Sequence, residues 1–182
     1  MSNPIYPLNA HQLVSKFLIL DWEADSTVNN YLPTVFVPVG CLRLDLHIQI
    51  RSSYVGATTD QAKVEFNKDV TSANYFSAFH YGGTSHGAAG VNNNNAFLNI
   101  GNTNAAFTYF HAWMFTPSKR GSGYVNGLNF QGSVWRPDGY WAWVAVCVWS
   151  LGRPIDVIDI GLVSGNIVTG CTYQVFATMV TP

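Results

Sequence analysis

The chain has 182 residues, enough to bury a substantial core in a single domain. Charged residues make up only 10% and the net charge is −1, which excludes the electrostatic footprint of a nucleic-acid binder. The nine Lys and Arg residues are scattered, adjacent only at Lys119-Arg120, so no polybasic patch faces a membrane.

Apolar residues reach 48% and aromatics 14%. With so little charge, this composition points to a surface partly covered by protein partners, because interface cores are depleted in charge. A polar but uncharged surface of Asn, Ser, Thr and Gly is the plainer alternative. No apolar run approaches the ~20 residues that span a bilayer. Met1 to Pro7 lack a basic region and a long apolar run, so no signal peptide is expected. Cys41, Cys147 and Cys171 form an odd set with no CxxC spacing. They are expected as buried free thiols in a protein made in the cytoplasm.

Residues 1–20 read as an N-terminal arm. Pro4 and Pro7 interrupt regular structure, and Phe17-Leu18-Ile19-Leu20 is apolar. The arm is either a first strand or an extension onto a neighbouring subunit. Residues 21–182 read as one β-sandwich domain. Leu42 to Arg51 alternates apolar and polar residues, placing Leu42, Leu44, Leu46, Ile48 and Ile50 on one face of a half-buried strand. Ser52 to Asp60 is a loop. Ala62 to Asn67 and Asn74 to Tyr81 are strands, the second aromatic. Gly82 to Asn95 contains little but Gly, Ser, Ala and Asn and is expected as a surface loop. Ala96 to Ile100 and Phe107 to Phe115 follow as strands, and Pro117 to Gly123 as a loop. Tyr124 to Phe130 and Ser133 to Arg136 read as separate short strands, with a turn at Pro137-Asp138-Gly139. Trp141 to Trp149 is apolar on both faces, which implies a central or covered strand. Ile155 to Leu162 and Tyr173 to Met179 close the series. Many short strands at even spacing, with no helical period, predict an all-β antiparallel sandwich or a closed barrel.

Chemistry-bearing patterns are sparse. His11, His47, His80, His86 and His111 lack metal-ligand spacing; His80 and His86 flank the Gly-rich segment. Asp21, Glu23 and Asp25 alternate, without the glycine and fixed spacing of a calcium loop. Asp156 and Asp159 are expected to face solvent or pair with an arginine. Phosphate-binding glycine motifs are absent, and Ser133 is not in a GxSxG elbow. Trp141, Trp143 and Trp149 share one face of their strand. They fill a core or a subunit contact, or, if exposed, form a sugar platform. No catalytic residue, metal ligand or cofactor is expected, and no binding residue is assigned.

The order of several segments resembles a widespread group of small structural proteins encoded by phages. The first is Tyr31-Leu32-Pro33, Leu42-Arg43-Leu44 and Arg51-Ser52-Ser53. The second is Val64 to Asp69, then Ser72-Ala73-Asn74-Tyr75 and His80. The third is Gly132 to Arg136, Ile155 to Ile160 and Thr169 to Phe176. The likeness covers residues 30–180. The chain departs from it at the aromatic Asp138 to Trp149, and at Lys68-Asp69, where the pattern has Gly-Asp. The resemblance implies an oligomeric virion surface protein with a jelly-roll fold and transfers no functional residues. The expected function is therefore that of a non-enzymatic capsid decoration or cement protein, made in the host cytoplasm. Its expected partners are its own copies, as a homotrimer, and the major capsid protein or other virion proteins, with no nucleic acid or membrane. A tail-fibre or receptor-binding module for host surface glycans is the alternative.

Overall fold

The computed structural model describes residues 14–55, 59–82, 87–91, 99–101, 106–115, 126–137 and 139–180. These form twelve strands: β1 (Val14–Glu23), β2 (Val35–Phe36), β3 (Cys41–Ile50), β4 (Thr59–Phe66), β5 (Tyr75–Gly82), β6 (Gly87–Val91), β7 (Asn99–Gly101), β8 (Thr108–Phe115), β9 (Asn126–Arg136), β10 (Gly139–Trp149), β11 (Val157–Leu162) and β12 (Thr172–Val180). A single 3-10 turn at Ser72–Asn74 is the one helical element among the described residues. The fold is all-β, with two antiparallel sheets: an eight-stranded sheet ordered β1-β12-β3-β8-β9-β10-β5-β6 and a four-stranded sheet ordered β2-β11-β4-β7.

Four pairings are nested in sequence: β1 with β12, β2 with β11, β3 with β8, and β4 with β7. β12 also pairs with β3, and β11 with β4. Two hairpins interrupt this scheme. β5–β6 lies between β4 and β7, and β9–β10 between β8 and β11. They meet through the β10–β5 pairing, while β9 joins β8. Together they widen the larger sheet from four strands to eight.

The core lies between the sheets, built by alternation. Leu44, Leu46, Ile48 and Ile50 of β3 are buried with Phe110, Ala112 and Met114 of β8 and Leu128 and Phe130 of β9. The smaller sheet contributes Val64, Phe66, Ile158, Ile160 and Leu162. Each fully buried side chain of this size contributes about 1.5–3 kcal/mol. In the widened region, Phe66 of β4 lies 6.1 Å from Trp149 and 6.0 Å from Tyr75, ring centre to ring centre, so aromatic packing joins the inserted hairpins to the smaller sheet.

Several expectations change. The β12–β3 register skips Leu42, passing from Thr178–Arg43 to Met179–Cys41. This bulge makes Cys41 the buried residue, while Leu42 is only partly covered. Residues 87–91 of the expected Gly-rich loop form edge strand β6, because a ladder uses backbone groups and needs no large side chains. The rest of that loop, including Asn92 to Asn95, lies outside the described residues, as do Ala96 to Leu98 and Pro117 to Val125. The two short strands expected around Phe130 and Ser133 are one strand, β9. Gly132 does not break it; a Cβ there would lie 2.6 Å from Phe110 and from the Trp143 ring. Of the arm expected over residues 1–20, residues 1–13 lie outside the described residues, and Val14 to Leu20 belong to β1, which pairs with β12 of the same chain around a bulge at Ile19.

Candidate binding groove

The outward face of the larger sheet carries a cavity of about 760 Å³, within the range of small-molecule sites. Period two sets its composition. The core residues Ile48 and Phe110 alternate with outward residues in the same strands, and registry between strands lines the outward residues into rows.

One row runs Gln174, His47, His111, Gln131, Val144, His80 across β12, β3, β8, β9, β10 and β5. The next, one pleat along, runs Thr172, Gln49, Tyr109, Ser133, Ala142, Gly82. In this second row the small residues Ser133, Ala142 and Gly82 leave depth. Tyr109 and Tyr140 stand at the rim, 58% and 50% exposed. Among the described residues, no Asp, Glu, Lys or Arg lines the cavity.

His47 and His111 stack, with ring centres 4.7 Å apart and planes inclined by 17°. Phe176 meets His47 edge-on, and Trp113 stacks on the far side of His111. His111 Nε2 lies 3.0 Å from Asp45 Oδ1, which fixes the ring. Asp45 is itself 4% exposed although it points outward. Arg43 Nε donates to both of its oxygens at 3.0 Å, and Lys16 Nζ of β1 approaches to 3.6 Å. Burial alone would raise the Asp45 carboxyl, but the hydrogen bonds from Arg43 and His111 and the nearby cations hold it below its usual range. Burial, with the charges of His111 and Lys16, pushes His47 below its usual value. The anion and cations thus compensate one another one pleat away from His47.

The sequence-level candidates fall elsewhere. His11 and His86 lie outside the described residues. His80 sits exposed at the end of the first row. Asp21, Glu23 and Asp25 are exposed, and Asp21 Oδ1 accepts from Gln174 Nε2 at 3.1 Å. No group of three or more His, Cys, Asp or Glu able to hold a metal occurs among the described residues. Asp156 is exposed. Asp159 is buried and pairs with Lys68, contrary to the expected solvent exposure or arginine partner. Trp141, Trp143 and Trp149 are 8%, 4% and 1% exposed. They belong to the interior, and the exposed sugar platform considered for them is not formed. The three cysteines are buried free thiols, and burial pushes the Cys147 thiol up to about 11.

Sequence reading did not assemble the groove. His47 and His111 are 64 positions apart, and only the β3–β8 register brings them together. The available signal was the polar half of each alternating strand, such as His47 and Gln49 within β3. Comparison with known proteins finds no matching family model, no matching curated relative and no matching solved structure.

Proposed function

We propose that this chain is a structural protein of the phage virion surface, a jelly-roll domain acting as a capsid decoration or cement protein. It works by assembly rather than catalysis, as a homotrimer seated on the major capsid protein or its neighbours. The nested pairing supports the jelly-roll reading. In a jelly roll, a long antiparallel hairpin wraps into two sheets through two Greek keys. The orders β1-β12-β3-β8 and β2-β11-β4-β7 follow from such wrapping, and the inserted hairpins extend it.

The observation that carries the assembly reading is the start of β1. Val14 and Leu18 point outward and are 54% and 49% exposed. Phe17 points to the opposite face, yet is 46% exposed. This strand forms one edge of the larger sheet. A long edge with apolar side chains on both faces is a template for another chain. Phe36 and Val39, 72% and 93% exposed, add apolar surface beside the edge strand of the smaller sheet.

A knockout phage tests this function. Particles lacking the protein should release DNA at lower temperature while adsorbing normally to host cells. A protein that binds only the assembled shell stabilises it by mass action, by about 2.7 kcal/mol per site at a hundredfold excess over the dissociation constant. The groove favours a second reading, a tail-fibre or receptor-binding module for host surface glycans. Lost adsorption with unchanged heat release would select it.

A further inference from the structure

We infer that the outward groove of the larger sheet is a binding site for a neutral oligosaccharide, read by Gln49, Gln131, Gln174 and His47 and stacked by Tyr109 and Tyr140. This deepens the receptor-binding reading and rests on it, naming the face and the ligand class.

Charge narrows the ligand first. A phosphate, sulfate or carboxylate ligand needs a cation or an array of backbone donors. Lys16 and Arg43 are both engaged with Asp45, and the Arg51 guanidinium, one pleat beyond Gln49, lies over the Phe107 ring at 4.7 Å. A cationic ligand would need a carboxylate; Asp45 is covered by three neighbours, and Asp21 Oδ1 is taken by Gln174 Nε2. What the groove offers is neutral: carboxamides, imidazoles, the hydroxyls of Ser133 and Thr172, and phenol rings. Amides and neutral imidazoles each carry both donors and acceptors. That matches vicinal hydroxyls, which donate and accept at once.

Aromatic surface narrows it further. Tyr109 and Tyr140 expose half or more of their surface, and each has an apolar body with a polar tip. Such rings cover the C–H faces of a pyranose while leaving its hydroxyl edge to the amides. Dimensions agree as well. Gln131 and Gln174 are separated by three strand spacings, roughly 14 Å, the reach of a short oligosaccharide rather than one sugar. A purely apolar ligand would leave the Gln131 carboxamide desolvated without a partner, a cost of about 1–3 kcal/mol, whereas Gln49 and Gln174 already donate to Gly170 O and Asp21 Oδ1.

The test uses the full chain. Chitotriose, maltotriose and N-acetyllactosamine serve as neutral probes, with sialyllactose and a heparin tetrasaccharide as charged ones. Binding is read by calorimetry and by amide chemical shifts. Tyr109→Ala and Gln131→Ala remove groove side chains that point outward, and circular dichroism checks that both variants fold. The expected result is binding of at least one neutral probe at millimolar affinity or better, with shifts centred on β3, β8 and β9. Each substitution should weaken it at least tenfold. Tighter binding of a charged probe overturns the neutral class. Neutral binding unaffected by either substitution overturns the location. No binding by any probe overturns the saccharide assignment. In that last case, the knockout adsorption assay keeps the two failures apart. Lost adsorption leaves the receptor-binding reading standing without this site, and normal adsorption removes both.

Discussion

Lys68 and Asp159 form an ion pair at 2.7 Å that ties the turn after β4 to the neighbouring strand β11. The carboxylate side chain is 4% exposed and the lysine 62%, so the lysine brings a solvated charge to a buried one. Thr34 Oγ1 donates to the same carboxylate at 2.6 Å. Lys68 holds this position at φ +61°, and Asn67 before it at +53°. A left-handed backbone favours glycine, so the lysine holds this turn at a backbone cost.

Two substitutions separate backbone strain from charge. Lys68→Met strands the buried carboxylate and keeps the strain. It should lower stability by roughly 1–3 kcal/mol, below the range for a fully buried pair because the lysine is largely solvated. Lys68→Gly strands the same carboxylate but relieves about 1 kcal/mol of backbone cost. It should therefore be the milder change. Urea denaturation of both variants measures the order, and a glycine variant less stable than the methionine variant would contradict it.

Asp60 is a second buried carboxylate, with no cation bonded to it. Its oxygens accept from Ser52 Oγ at 2.7 Å and from the backbone amides of Gln61 at 2.7 Å, Ser164 at 3.1 Å and Gly165 at 2.8 Å. Asp60→Ala leaves several buried donors without acceptors, at about 1–3 kcal/mol each. A loss of roughly 3 kcal/mol or more is expected by thermal or chemical melting, against little change for the exposed Asp156→Ala.

Gly132 has no room for a methyl group between Phe110 and Trp143. Gly132→Ala should cost roughly 1–3 kcal/mol by overpacking and shift the Trp143 environment. Near-ultraviolet circular dichroism and tryptophan fluorescence report both.

Asp69 predicts the acid limb of the stability curve. Burial alone would raise its carboxyl. Hydrogen bonds from the Trp149 indole at 2.8 Å, the Thr71 amide at 2.9 Å and the Asn74 carboxamide at 2.8 Å instead hold it at about 2. A carboxylate depressed below its unfolded value of about 3.9 stabilises the fold fully above that pH. Its contribution is lost as pH falls towards about 2. Asp69→Asn should lower stability at pH 7 and flatten the decline between about pH 4 and pH 2. Urea midpoints across that interval, compared with the wild type, measure the difference.

The strands were legible where alternation was strong. Leu44 to Ile50 announced β3 and its buried face, and Trp141 to Trp149 announced a central strand. Local pattern could not show what depends on register. The bulge that replaces Leu42 by Cys41 in the core arises from β12, more than 130 residues later. The partner of Asp159 lies 91 residues earlier, in a turn of unusual backbone geometry. The polar rows of the groove exist only once six strands are aligned. The break expected between Phe130 and Ser133 is absent, and Gly132 within it is glycine because of the Trp143 ring, which comes from the next strand.

The nesting of strand pairs sets an order of events during folding. The two inserted hairpins close short loops and β4–β7 a longer one, whereas β1–β12 brings residue 14 to residue 180. Distant pairings carry the largest loop-closure cost and form late. Until then, β12 offers an open edge in a chain that already has most of its core. Because β1 is both last to dock and joined at its end to residues 1–13, the same slot can receive β1 from another copy. Exchange of an identical terminal strand is a low-cost route to oligomers. Refolding at high concentration should therefore favour strand-exchanged species over those formed in dilute solution, as size-exclusion chromatography measures.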